Sequence, residues 1–440
     1  FADGKMKFRH KDYSCVRAVP YHVPVVGFAG KTVNHLKLWR ATPLHDRVDM
    51  DAFNRGDYCG AMKEKNDIEA ISCILYPDDS QGVGRLLRLK QEYFFVAAGV
   101  GDICRRYVSN YGHSQWDKLP ERVSIHINDT HPTLCIPELM RILLDEEKLE
   151  WDEAWEITKK TISFTNHTVL PEALEKWPID MFKDLLPRIY MIVEEINRRW
   201  NEQVTAQAEN AFEILKKTAV LYDNEVRMAN LSIIGSHSVN GVAALHTEIL
   251  KTSVFEEFHK MNPEKFFNMT NGVSHRRFMI QSNLNLADLI LDTIGDRWLK
   301  DLNELKRLEE FKNDSAFMEQ LMKVKRNNKI ALGEYIYRHN GIKVDPDSVF
   351  DIQVKRMHAY KRQLLNAFKV LDLYNQIKSG QTMDINPYTF VFSGKAAQGY
   401  AFAKETIKFI NSIADLVNND PEVSRLIKVV FIENFCVTNG

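Results

Sequence analysis

Residues 123–165 read VSIHINDTHPTLCIPELMRILLDEEKLEWDEAWEITKKTISFT. VSIHI (123–127) is rich in β-branched residues, the turn residues NDTHP follow, and a helix opened by Pro137 then places Leu139, Ile142 and Leu143 on one face. A further helix carries Trp151, Trp155 and Ile162 near its ends at helical spacing. ISFT (162–165) is a second strand, continued by the loop NHTVL and a helix opened by Pro171-Glu172. Two strands joined by a helical crossover read as a right-handed βαβ unit with parallel strands. The fold class is therefore α/β.

Working outward, the first 60 residues mix short apolar runs with Gly and Pro, the texture of irregular strands and loops. Ile189, Ile192, Val193, Ile196 and Trp200 define an amphipathic helix with a packing role. The segment 285–340 is rich in Lys, Glu, Asp and Leu and reads as solvated helices. From Ser348 a second α/β pattern begins: strand VFDIQV, a helix over 361–379 ended by Gly380, strand YTFVF, a helix over 401–418, and strand LIKVVFI. This βαβαβ run is half of a doubly wound sheet. Two domains are expected, residues 1–270 and 271–440, with a cleft where the α/β regions meet near 270–290.

Composition narrows the function. The chain has 440 residues, with Lys+Arg 58 against Asp+Glu 59, so it carries no net field to hold an anionic polymer and is not expected to bind nucleic acid. No apolar run approaches the roughly 18 residues that a membrane-spanning helix needs. The six cysteines, at 15, 59, 73, 104, 135 and 436, form no CxxC pair, which removes zinc-ribbon and disulfide-scaffold readings and fits reduced thiols in a cytoplasmic protein. No metal site is expected. The chain opens at Phe1 without a leader and stops at Thr438-Asn439-Gly440 just after a strand, so both ends read as cut.

In open parallel sheets ligands bind beyond the carboxyl ends of the strands. Asn128, Asp129 and His131 follow the first strand, and Asn166, His167 and Thr168 follow the second. Helix capping would explain either cluster alone; both on one sheet edge point to a site. After VFDIQV comes Lys355-Arg356-Met357-His358-Ala359-Tyr360-Lys361-Arg362, with several cations between a strand's carboxyl end and a helix's amino end, suited to phosphate. The P-loop, HExxH, GxSxG and kinase motifs are missing, and Gly99-Val100-Gly101 has Cys104 where a dinucleotide fingerprint needs its third Gly.

VSIHINDTHPTLCIPELMRIL, TNHTVLPEALEKWP, GSHSVNGVAALH, FFNMTNGVSHRRF and FDIQVKRMHAYKRQLLN, in this order, resemble the α-glucan phosphorylases (glycogen, starch and maltodextrin phosphorylase). LYPDDSQGVGRLLRLKQEYF upstream and FVFSGKAAQGYAFAK downstream agree, so the resemblance covers almost the whole chain, and HRRF and HAYKRQLLN are closer to bacterial members. It implies the two-domain GT-B glycosyltransferase-type fold, each domain a parallel sheet flanked by helices and truncated at both ends here. The first domain would be part of the glucan-binding domain and the second the first part of the cofactor domain. The implied reaction cuts α-1,4-glucan from the non-reducing end with inorganic phosphate, giving glucose 1-phosphate with retention. The implied cofactor is pyridoxal 5'-phosphate (PLP), whose phosphate relays protons. A cytoplasmic homodimer is implied.

Matched position by position, the resemblance assigns Lys355 to the cofactor phosphate, and Arg356 and Lys361 to the substrate phosphate. His167 would bond the 6-hydroxyl of the terminal glucose and, through its carbonyl, stabilise the cationic transition state. Asn271 would share that hydroxyl, Tyr360 would contact the 2-hydroxyl, and Asp129 with His131 would line the pocket beside it. The family's EASGTGNMK-like segment, with the cofactor lysine, does not occur in these residues, so the isolated chain is expected to be inactive. Phe278 stands where many members have Trp, and Ala359 where many have Glu. A carbohydrate-binding protein without the cofactor lysine is the alternative, and a nucleotide-sugar glycosyltransferase fits less well.

Overall fold

The computed structural model describes residues 8–45, 48–381 and 385–436; Phe1 and Thr438 to Gly440, read above as cut ends, lie outside the described residues. The chain divides into two compact units, Phe1–Asn271 and Gly272–Gly440.

The first unit opens with β1 (Val16–Val26) and β2 (Val33–Pro43), paired antiparallel from Val16↔Pro43 to Val26↔Val33. This corrects the expectation of irregular strands. Pro20 and Pro24 lack ladder donors, but a two-stranded ribbon has only edge strands, where proline is tolerated. The ribbon's base packs Ala18, Trp39 and Ala41 against Ile68, Ile71 and Phe94.

The helix Gly82–Tyr111 leads to β3 (Ile125–Asn128), and the helices Cys135–Arg141 and Trp151–Thr161 cross over to β4 (Ile162–Thr165). Ile162 thus opens the strand rather than closing the helix. After β5 (Lys176–Pro178), β6 (Leu221–Tyr222) and β7 (Glu225–Arg227), which form a small antiparallel sheet, come β8 (Ser238–Gly241) and β9 (Phe266–Asn268). The order β3-β4-β8-β9 is parallel throughout, as the βαβ reading requires. Ile127, Phe164 and Val239 are fully buried at its centre, and burying such side chains stabilises the fold by roughly 1.5–3 kcal/mol each. The helix Pro187–Gln207 buries Ile189, Ile192, Val193, Ile196 and Trp200, as its spacing predicts. Pro171 opens a 3-10 helix of only three residues, Pro171–Ala173, which goes no further because Lys176–Pro178 is drawn into pairing with Glu225–Arg227.

The second unit begins with less solvated helices than expected: Ala287, Ile290, Ile294 and Trp298 form a core of their own, while the helix Ser315–Asn340 buries only Ile336. Then β10 (Val349–Val354), β11 (Tyr388–Ser393) and β12 (Ile427–Ile432) pair in parallel in that order. The crossover helices Gln363–Lys378 and Ala401–Asn419 complete βαβαβ. Phe390 and Phe392 are buried in the middle strand. In both units the main sheet is parallel and flanked by helices.

Candidate functional site

In the first unit the strand ends are joined by polar side chains. Ser163 Oγ lies 2.9 Å from His126 Nδ1, His126 Nε2 lies 2.6 Å from Thr165 Oγ1, and the Thr165 hydroxyl donates to Asn240 Oδ1 over 2.7 Å. Because Thr165 gives its proton to Asn240, His126 donates from Nε2 and accepts at Nδ1. Burial, and then the neighbouring His167, lower the His126 pKa, which suits this neutral ring. Asn166 is fully buried; its N–H donates to the Asn240 carbonyl and its Oδ1 accepts from Thr168 N–H, both over 3.0 Å. That turn carries His167 out to an exposed position, where Nε2–H donates to Asn128 Oδ1 over 2.7 Å. Asn271 reaches the same edge, its N–H donating to the Val242 carbonyl over 3.0 Å. A Cβ on Gly241 would lie 2.3 Å from Thr247 Oγ1 and 2.8 Å from His246 Nδ1, so only glycine lets the β8 end approach this closely.

Asp129 sits at φ 63°, the left-handed region, with its N–H donating to the Thr165 carbonyl over 3.0 Å. Such strain in a non-glycine residue gathers at functional sites. His131 lies beside it, Nε2 to Asp129 Oδ2 being 3.8 Å. The other nitrogen, Nδ1, is 3.1 Å from Glu175 Oε2 and 3.7 Å from Glu92 Oε1. Arg88 completes the cluster, with Nε 3.3 Å from Glu92 Oε1 and a hydrogen bond to Glu175. The Glu175 carboxylate, accepting from the ring N–H, and then the Glu92 carboxylate raise the His131 pKa to about 10. Burial pushes Glu92 up to about 8. Burial also opposes charge on Glu175, yet its bond to His131 and the charge of Arg88 hold it below the usual range. The donor atoms of Glu92, His131 and Glu175 lie within 4.8 Å of one another, but the Arg88 guanidinium already supplies the cation. A cavity of about 200 Å³ opens onto Asp129, His131, Thr168 and Glu175.

Sequence reading found Asp129 and His131 but missed Arg88, Glu92 and Glu175. Arg88 and Glu92 are an i,i+4 charged pair on the long helix Gly82–Tyr111, which marks them as neighbours on one face but not as partners of His131.

In the second unit, Lys355, Arg356, Tyr360 and Lys361 share one loop after β10. The Lys355 N–H donates to the Ser393 carbonyl and the Met357 N–H to the Lys395 carbonyl, over 3.1 and 3.0 Å. Gln363 donates to the Arg356 carbonyl over 2.9 Å and Gln353 to the Lys361 carbonyl over 3.0 Å, fixing both ends of the loop. The His358 ring stacks obliquely on Tyr360 and Tyr400, and burial, then the charges of Lys361 and Arg356, lower its pKa. Among the described residues no carboxylate pairs with Lys355, Arg356 or Lys361.

Parallel sheets with helices on their faces and polar strand ends are the arrangement of GT-B type α/β proteins. The family model for carbohydrate phosphorylases matches residues 2–440, and the chain belongs to that family. It is 47% identical to the glycogen phosphorylase of Bacillus subtilis (strain 168) over 435 residues, covering 99% of this chain and 53% of that protein. Against the liver form of human glycogen phosphorylase the identity is 45%, covering 97% and 51%, and against the human brain form 46%, covering 97% and 52%. The chain spans about half the length of the curated relatives it matches.

Proposed function

We propose that the protein to which this chain belongs is a PLP-dependent α-glucan phosphorylase, a glycosyltransferase that transfers the terminal glucose of α-1,4-glucan to inorganic phosphate and yields glucose 1-phosphate with retention. The observation that carries the reading is the loop bearing Lys355, Arg356 and Lys361, ordered by its own backbone and side-chain amides and without an acid partner among the described residues. A surface turn kept only for solubility needs no such ordering. Glycogen phosphorylases among the relatives support the substrate class.

The cation loop also fits the phosphate group of PLP, since Lys355, which no carboxylate neutralises among the described residues, is a cation suited to that anion. Lys355 would hold that phosphate. When bound, PLP supplies a phosphate that exchanges a proton with the substrate phosphate. Arg356 and Lys361 grip the substrate phosphate and offset the repulsion between neighbouring dianions, an effect that grows as water is excluded. Tyr360, on the same loop, contacts the 2-hydroxyl of the glucose. In the first unit His167 and Asn271 bond the 6-hydroxyl, and the His167 carbonyl faces the developing positive charge of the sugar. Asp129 and His131 line the pocket beside the sugar. The first unit, through Asn271, thus belongs to the glucan-handling domain and the second, from Gly272, to the cofactor domain, in a cytoplasmic homodimer. The isolated chain is inactive, because the family's cofactor lysine lies in a segment that these residues do not contain.

The test places this chain and a protein carrying it at the full length of its relatives side by side with maltodextrin, phosphate and PLP. Phosphate-dependent glucose 1-phosphate from the longer protein alone supports the reading. Folded longer protein that binds glucan and forms no glucose 1-phosphate overturns it in favour of a carbohydrate-binding protein.

A further inference from the structure

His246 lies on the short helix Ala244–Ile249, just after β8, and touches two strand ends at once. Its Nδ1 accepts from the Val242 N–H over 3.2 Å. The carbonyl of the same Val242 accepts from the Asn271 N–H over 3.0 Å, so His246, Val242 and Asn271 form one chain of contacts. Because Nδ1 accepts, the neutral ring carries its proton on Nε2. That Nε2 is buried and completes no hydrogen bond of ordinary geometry among the described residues.

The ring's other neighbour is the backbone of His167. The Asn166 N–H donates to the Asn240 carbonyl over 3.0 Å, which brings the turn carrying His167 to the β8 end. Burial and then the charge of His167 lower the His246 pKa, whereas the His167 backbone raises it. A backbone group that favours a protonated imidazole is an acceptor, so the ring senses the His167 carbonyl. The close fit has its own supports. Gly241 leaves room for the ring, since a Cβ there would stand 2.8 Å from Nδ1. Thr247, buried beside it, donates to Asn268 Oδ1 over 3.1 Å and ties the helix to β9, the strand that leads to Asn271.

We propose that His246 is a positioning residue: Nδ1 fixes Val242 and through it Asn271, and Nε2–H is held against the His167 carbonyl. One ring thereby aims Asn271 at the 6-hydroxyl of the glucose and the His167 carbonyl at the developing sugar cation. The inference rests on the phosphorylase reading of His167 and Asn271. A neutral ring does this without placing a positive charge beside that cation. A ring kept only for packing gains nothing from burying an N–H, which is costly to leave unpaired.

The experiment has two arms. The chain labelled with 15N in its histidine rings is examined by NMR at neutral pH, with the His246 signals assigned by their loss in His246→Gln. The Nε2–H tautomer is expected, together with slow hydrogen exchange at the Val242 and Asn271 amides. An Nδ1–H tautomer in the unaltered chain overturns the proposal, and that result needs no variant to fold. His246→Gln should quicken exchange at Val242 and Asn271 but not at Ile127 and Phe164; equal quickening at all four reports general loosening and overturns the positioning role.

The second arm uses the longer protein, run toward glucan elongation. Glutamine places a nitrogen where Nε2 stood and loses the Nδ1 acceptor, whereas asparagine places an oxygen where Nδ1 stood and loses the donor. His246→Gln should lower kcat/KM for glucose 1-phosphate by roughly tenfold and leave that for 6-deoxyglucose 1-phosphate nearly unchanged. His246→Asn should lower kcat on both substrates with little change in KM. An equal loss on both substrates in His246→Gln overturns the link to Asn271, and an unchanged kcat in His246→Asn overturns the contact with the His167 carbonyl. A longer protein that makes no glucose 1-phosphate, while the chain shows the expected tautomer and exchange, overturns the phosphorylase reading instead and with it the hydroxyl and cation assignments.

Discussion

Gly394 lies against the backbone of Lys355 so closely that a Cβ at position 394 would stand 2.0 Å from the Lys355 carbonyl oxygen. The loop after β11 therefore sets the place of the cationic loop after β10. Since the obstructing atom is backbone, no side-chain rotation relieves the overlap. Gly394→Ala is expected to destabilise the second unit by about 1–3 kcal/mol and to weaken phosphate binding by moving Lys355. Thermal unfolding with and without phosphate measures both. An unchanged midpoint and unchanged phosphate stabilisation would show that the loop tolerates the displacement.

Lys361 has no carboxylate partner among the described residues, so its removal should leave folding nearly untouched. Lys361→Ala is expected to change stability by no more than about 0.5 kcal/mol, as at other surface positions. A charge-assisted hydrogen bond contributes about 1.5–3 kcal/mol, so the phosphate KM of the longer protein should rise roughly 10- to 100-fold. A large loss of stability with unchanged phosphate kinetics would make Lys361 a structural residue.

Phe164 is fully buried in β4, the strand that carries His167 at its end. Phe164→Ala should destabilise the first unit by about 3–5 kcal/mol through lost burial and the cavity left behind. Urea unfolding measures the loss. A cost under about 1 kcal/mol would mean that the neighbours collapse into the space.

The sign of the pH dependence follows from the His131 cluster. His131 rises from 6.5 to about 10 on folding, so between those values the folded chain holds a proton that the unfolded chain has released. Its stabilisation is complete below about pH 6.5 and is lost as pH rises toward 10. Glu92 acts in the same direction between 4.5 and about 8, because the unfolded acid ionises first. Lys265, lowered by burial from 10.5 to about 8, acts oppositely between those values. The first unit's melting temperature should fall from pH 6.5 to 8, where Lys265 does not yet contribute, and His131→Gln should flatten that slope. A slope unchanged in the variant would remove His131 as its source.

Much of this structure is legible in the sequence, for identifiable reasons. The strands after Ser348 are short, β-rich runs separated by strongly periodic helices, and β10 falls on Val349–Val354 as its pattern indicates. Ile189 to Trp200 repeat at a period that only a half-buried helix satisfies. Pro171-Glu172 misleads because a good helix start is overridden by strand pairing with residues some fifty positions away, such as Trp177 with Val226. Asp129 and His131 stand out because they directly follow a strand. Glu175 does not, since it reaches His131 from 44 residues further along and nothing local to it marks the contact.

The most direct measurement is phosphate-dependent glucose 1-phosphate formation from maltodextrin by the longer protein with PLP, compared with its Arg356→Ala variant. The account predicts product from the unaltered protein that rises with phosphate, and at least a tenfold loss of kcat/KM for phosphate in the variant. Product that forms without phosphate, or equally well without Arg356, would contradict it.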